Sequence, residues 1–135
     1  MTYDIKIDLC GNKFWHKNGF IHREDGPAIE WSNGDKEWCI KGKTHKEDGP
    51  ALEKANGNKE WYKNGLRHRE DGPAVELITG TKYWFKNGKL HREDGPSYED
   101  IFGTKFWYLN DICYGKNDDF TDDLWKKFVK TVFFL

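Results

Sequence analysis

Apolar and polar positions in this chain recur as a block of 23 residues, marked by Gly11, Gly34, Gly57, Gly80 and Gly103. A tryptophan stands four residues after each glycine, at Trp15, Trp38, Trp61, Trp84 and Trp107. Histidines follow at His22, His45, His68 and His91, and all four prolines share one position, Pro27, Pro50, Pro73 and Pro96. Between histidine and proline runs His-Arg-Glu-Asp-Gly-Pro, with Lys46 replacing arginine once. A fixed period of this length is the mark of stacked repeats, in which each unit buries its apolar face on its neighbours.

Within a unit the pattern predicts strands and turns. The run 59–63, Lys-Glu-Trp-Tyr-Lys, leads into Asn64-Gly65, a pair suited to a two-residue hairpin turn whose central residues need positive φ. Asn18-Gly19 and Asn87-Gly88 repeat it, and Lys41-Gly42 keeps the glycine. Asp-Gly-Pro makes a second reversal, because proline lacks a donor and belongs at a strand start or edge. A third turn, at Asn33-Gly34, Asn56-Gly57 and Thr79-Gly80, leads into the next unit. If it too is a two-residue loop, Ile29 faces Trp38, Leu52 faces Trp61, Val75 faces Trp84 and Tyr98 faces Trp107. A tight Asn64-Gly65 turn sets His68 opposite Trp61. The expected layer is thus a tryptophan, an aliphatic neighbour and a histidine, repeated as a continuous column of indoles.

Both ends read as caps. Tyr3, Ile5, Ile7 and Leu9 alternate with Asp4, Lys6 and Asp8, a period-two strand able to pair with the first unit. The fifth unit begins normally and then decays, with Asp111 in place of the turn glycine. From Thr121 the period becomes helical. Leu124, Trp125, Phe128, Val129 and Val132 fall on one face, Asp122 and Asp123 open the first turn, and Thr121 is placed to cap it. The expected fold is all-β: an elongated single-layer stack of antiparallel hairpins. Residues 1–10 form an N-terminal cap strand, 11–115 five repeats with the fifth partial, and 116–135 a C-terminal capping α-helix shielding the last sheet edge.

Composition narrows the setting. At 135 residues the chain has the length of one ordinary domain, too short for two separate cores. Its 22 basic and 23 acidic side chains are interspersed, so no field favours nucleic acid or an anionic membrane. A mean hydropathy of −0.95 suggests disorder, but 16% aromatic residues argue for a packed chain. Cys10, Cys39 and Cys113 have neither pairing nor metal spacing, which suits free thiols in a reducing compartment. With no apolar leader and no stretch able to span a bilayer, the expected location is cytoplasmic.

The stretch 61–68, Trp-Tyr-Lys-Asn-Gly-Leu-Arg-His, and its copies resemble the MORN repeat, a hairpin unit of about this length with a Trp-x-x-Gly-Lys-x-His core. The resemblance covers residues 11–115 and departs after the histidine, where Arg-Glu-Asp precedes the glycine and a proline follows it. The His-Arg-Glu-Asp-Gly-Pro-Ala variant is similar to repeat proteins of tailed phages and large DNA viruses. The resemblance implies a twisted single-layer ribbon and a role in protein contacts or scaffolding, sometimes in phospholipid binding. A viral accessory protein acting on a host factor in the host cytoplasm fits that expectation.

Catalysis is not expected. An active site gathers unlike groups in one place, whereas the shared residues here occur four times over and therefore describe construction. The four histidines stand one to a unit with no fixed partner, so a packed imidazole against tryptophan is expected and no metal. Successive Glu-Asp residues point to opposite sides of a strand, so they form no carboxylate dyad. The aspartates read as turn formers, with Arg or Lys pairing to the glutamates. His16, outside the repeated column, reads as a surface residue. No cofactor is implied.

Function should lie in columns that vary between copies: His16, Cys39, Tyr62, Phe85 and Tyr108, and Trp31, Lys54, Leu77 and Asp100. The main expectation is a protein partner gripped through Tyr62, Phe85, Tyr108 and Trp31. The competing reading of that stripe is a second core face, covered by the helix or by another subunit, which leaves room for a homo-oligomer. The alternative function is a small anionic ligand, a nucleotide or lipid headgroup, held by Arg23, Arg69 and Arg92.

Overall fold

The computed structural model describes residues 2–134. The chain is built of antiparallel strands joined as hairpins, with one α-helix at the end. It divides into two compact units, Met1–Arg67 and His68–Leu135. A single core was expected from the length. Repeats contact mainly their neighbours, so apolar contacts gather locally, in one cluster of the first unit and another of the second.

In the first unit, β1 (Asp4–Ile7) pairs with β2 (Lys13–Lys17), which turns back through β3 (Phe20–Ile21) and also pairs with β4 (Ile29–Glu30). The path continues through Lys36–Glu37, Leu52–Glu53 and Lys59–Glu60. Two short hairpins accompany it, Cys39–Ile40 with Lys43–Thr44 and Tyr62–Lys63 with Leu66–Arg67. In the second unit the order is Val75–Glu76, Lys82–Tyr83, Tyr98–Glu99, Lys105–Leu109 and Ile112–Lys116. Its accompanying hairpin joins Phe85–Lys86 to Lys89–Leu90.

The hairpin turns hold both central residues in the left-handed region: Asn18 and Gly19 have φ of 53° and 80°, Asn64 and Gly65 51° and 82°. His22, His45 and His91 each donate their backbone N–H to the tryptophan carbonyl across the hairpin, at 2.9–3.0 Å. Histidine therefore faces tryptophan in these repeats, as expected. The turn between repeats is different. At Gly34, Gly57 and Gly80 only the glycine has positive φ, and each accepts a loop of three residues. The Gly34 N–H bonds Trp31 O while the Trp31 N–H bonds Asp35 O. The extra residue shifts the ladder by one. Ile29 faces Glu37, Leu52 faces Glu60, Val75 faces Tyr83 and Tyr98 faces Phe106. The tryptophans instead bond Ala28, Ala51 and Ser97, as seen for Trp15, Trp38 and Trp84. All three of those small residues are fully buried.

The column of touching indoles is also corrected. In three repeats a cation of the same repeat covers the ring: the Arg23 guanidinium lies 4.3 Å from the Trp15 centroid, the Lys46 ammonium 4.0 Å from Trp38, and the Arg92 guanidinium 4.0 Å from Trp84. The fifth repeat lacks that arginine, and the helix takes its place. α1 (Asp122–Phe134) starts where Thr121 Oγ1 accepts the Leu124 N–H at 3.2 Å. It buries Trp125 and Val129 against Trp107 and Leu109, with Phe120 and Phe128 at the margin. Leu124 and Val132, expected on the same buried face, are exposed. The buried apolar stripe is narrower than the five-residue face implied.

Candidate functional site

The repeated loop is a clamp whose logic follows from extended backbone, where residues two apart share a side. Each histidine bonds the glutamate two residues on: His22 to Glu24 at 3.1 Å, His45 to Glu47 at 2.7 Å, His68 to Glu70 at 2.6 Å and His91 to Glu93 at 3.0 Å. Each arginine pairs through Nε with the aspartate two residues on, Arg23 with Asp25, Arg69 with Asp71 and Arg92 with Asp94, at 2.9–3.0 Å. The expected pairing of arginine to the loop glutamate is thus replaced by arginine to aspartate, while Asp25 also bonds its own backbone, as expected. The arginine beside Asp25 and the imidazole beside Glu24 hold those carboxyls below their ordinary range.

The arginines do more than pair. Nη1 donates to the proline carbonyl four residues on, at 3.2 Å in the first repeat and 3.0 Å at Pro73 and Pro96. The guanidinium then lies flat on the loop glycine. A Cβ added at Gly26 or Gly95 would stand 2.7 Å from the guanidinium carbon, so a side chain there would push the arginine off the loop. Sequence reasoning missed this role. A glycine before proline and an arginine three residues earlier was the available signal.

Between successive clamps lie open grooves. One, of about 620 Å³, is lined by Arg69–Pro73, Trp84–Lys86 and His91–Asp94 in the second unit. Its counterpart in the first unit, about 640 Å³, lies between Arg23–Gly26 and His45–Asp48. Arg23, Arg69 and Arg92 belong to these grooves, one or two to each, with their guanidinium groups already bonded to aspartate and proline. Glu70, Asp71, Glu93 and Asp94 line the second-unit groove beside the arginines, and Glu24, Asp25, Glu47 and Asp48 line the first-unit one.

The varied columns fall on the side away from the tryptophans. In the first unit Phe14, Ile21 and Trp31 pack on Ala28, Ile29 and Cys39, and the rings of Phe14 and Trp31 meet edge to face at 5.8 Å. Trp31 is therefore half-buried here. His16 is half-buried too, with Nδ1 buried and unbonded, not the surface group expected. Tyr62 donates to Glu60 Oε1 at 3.2 Å, and Arg67 reaches the same oxygen at 2.8 Å. Burial raises the Tyr62 hydroxyl pKa, and the Glu60 charge adds to it. In the second unit Phe85 stacks on Tyr83 at 6.2 Å, Tyr83 meets Tyr98 at 5.0 Å, and Tyr98 meets Phe106 at 5.4 Å. Tyr108 is half-buried on the same strand as Phe106. Tyr62, Phe85 and Tyr108 thus lie on partly covered faces, with an aromatic file built in the second unit that spacing alone did not reveal.

Cys39 is the exception in its column. It is buried, and burial with the Glu37 charge pushes its thiol up to about 12. Cys10 and Cys113 are exposed. Native alkylation near neutral pH should therefore modify Cys10 and Cys113 and spare Cys39 until denaturant is added, as read by peptide mass spectrometry. Labelling of all three at one rate would place Cys39 outside the core. Among the described residues no helix is long and apolar enough to cross a membrane. Compared with models of known protein families the chain matches none, and no curated protein matches it.

Proposed function

We propose that this protein is a non-enzymatic binding module, a MORN-like scaffold or inhibitor that grips a protein partner through its varied aromatic faces. The observation that carries this reading is a division of labour. The repeated His, Arg, Glu, Asp and Trp side chains bond one another inside the clamps, while the differences between copies collect on one side of the strands. Half-exposed Tyr62, Phe85 and Tyr108, with Tyr83 and Tyr98 beside Phe85, supply the kind of ring surface that protein interfaces favour. The four imidazoles use both ring nitrogens within the fold, which leaves them no lone pair for a metal or a substrate proton. An anionic-ligand role for Arg23, Arg69 and Arg92 is the weaker reading, because each guanidinium is already engaged.

Affinity capture with the full chain, compared with a Tyr62→Ala, Phe85→Ala double variant, tests the proposal. The expected result is at least a tenfold loss of capture, matching about 1.4 kcal/mol, with an unchanged circular dichroism spectrum. Undiminished capture would overturn it. So would a variant that melts, since that marks the face as core.

A further inference from the structure

The sheet of the first unit ends in an edge strand in which Asp4 and Lys6 flank Ile5 symmetrically. β1 lies at the end of the strand order, and all four of its residues are exposed, Ile5 at 54% and Ile7 at 62%. Ile5 faces Trp15 in β2. The Trp15 N–H goes to Ala28 O and its carbonyl takes the His22 N–H, so both Trp15 groups point away from β1. Alternation along an antiparallel pair then turns the N–H and C=O of Ile5, and of Ile7 two residues on, toward the open edge. Open edges are usually guarded by charge or brevity, because they invite pairing with another chain. Here the guard is Lys6, two residues from Asp4.

We propose that β1 is a self-association edge, taking β1 of a second copy antiparallel about a two-fold axis through Ile5. In that register Ile5 pairs with Ile5 of the second copy, each donating its N–H to the other's carbonyl. Asp4 stands opposite Lys6 of the second copy, twice by symmetry. Both outward backbone groups of Ile5 meet a partner, and both charges meet their opposites. The neighbouring two-fold registers, centred on Asp4 or on Lys6, set Asp4 against itself or Lys6 against itself. A neutral strand from another protein would leave both charges unanswered on the edge. A second copy answers both. The odd side chains, Ile5 and Ile7 with Tyr3, come together on the tryptophan side, where the Tyr3 hydroxyl is held by the Glu24 N–H at 3.0 Å. A two-fold contact of this kind closes on itself and yields a dimer, not a fibre.

Sedimentation equilibrium of the full chain, from micromolar to millimolar concentration, tests the dimer, and amide exchange tests the register. The expected result is a monomer–dimer equilibrium with the Ile5 amide protected as concentration rises. Lys6→Glu and Asp4→Lys should each weaken association at least tenfold. An equimolar mixture of the two variants, and the exchanged double variant Asp4→Lys, Lys6→Asp, should both restore it. Because these side chains are exposed, the variants should keep the parent thermal transition. A wild-type protein that stays monomeric throughout, or a dimer indifferent to single charge reversal, would overturn the proposal. So would a dimer in which the Ile5 amide exchanges freely.

Discussion

Replacing Trp107 by alanine should cost ~3–5 kcal/mol, the largest single loss in the chain and a large share of a typical 5–15 kcal/mol total. Trp107 is fully buried, its Nε1 donates to Asn117 O at 3.0 Å, and its ring meets Phe120 at 5.6 Å and Trp125 at 5.4 Å. Removing it opens a cavity under α1, which must keep Trp125 and Val129 covered. Trp125→Ala should cost a similar amount, because Trp125 is also fully buried and donates to Arg92 O at 2.8 Å. The same change at Trp38 should cost less, about half as much, since that ring is half-buried and one face carries a lysine. Urea unfolding followed by circular dichroism measures all three. Equal losses at Trp38 and Trp107 would show that the helix adds nothing to the end repeat.

That asymmetry marks what the residue pattern could and could not disclose. A period of 23 announces that the tryptophans occupy equivalent places, and it rightly led to hairpins, a cap strand and a terminal helix started by Thr121. It does not say what lies on each ring. Covering by Arg23, Lys46 or Arg92 depends on how far a loop carries a side chain back over its own strand, a distance no spacing encodes. The register error is more instructive. Asn33-Gly34, Asn56-Gly57 and Thr79-Gly80 look like the Asn-Gly of the hairpin turns, yet a two-residue turn of that type requires positive φ at both positions. Thr79 is β-branched and resists it. Three copies sharing one geometry should therefore have excluded the two-residue loop, and with it the facing of Val75 and Trp84. The clamp pairs were also within reach, since extended backbone puts His22 beside Glu24 and Arg23 beside Asp25. The aromatic file Phe85–Tyr83–Tyr98–Phe106 was not, because it depends on Tyr98 facing both Tyr83 and Phe106 in the observed register.

His91→Leu should cost about 1–3 kcal/mol and speed exchange of one backbone amide far more than its neighbours. The Nδ1 atom of each repeat histidine accepts the N–H of a residue nineteen positions on: His22 from Lys41, His45 from Asn64, His68 from Asn87 and His91 from Asn110, at 2.9–3.1 Å. Those acceptors fix the tautomer, so Nε2 carries the hydrogen and donates it to glutamate. The donors are the first residues of the next hairpin turns, held at φ of 48–51°. Two consecutive left-handed residues point both amides outward, where no partner within the hairpin can reach them. The preceding repeat supplies both: Nδ1 takes the first, and a carbonyl takes the second, as Ile21 O does for Gly42, Thr44 O for Gly65 and Leu90 O for Asp111. Histidine is thus the bolt between a repeat and the turn that follows it, which explains its place in every complete unit. Leucine fills similar space but leaves the Asn110 N–H facing an apolar group. Glu93→Gln removes only a charge on a half-exposed carboxylate and should cost under ~1 kcal/mol. If Asn110 exchange is unchanged in His91→Leu, or Glu93→Gln costs as much, the imidazole serves its own loop and the repeats are held by strand pairing alone.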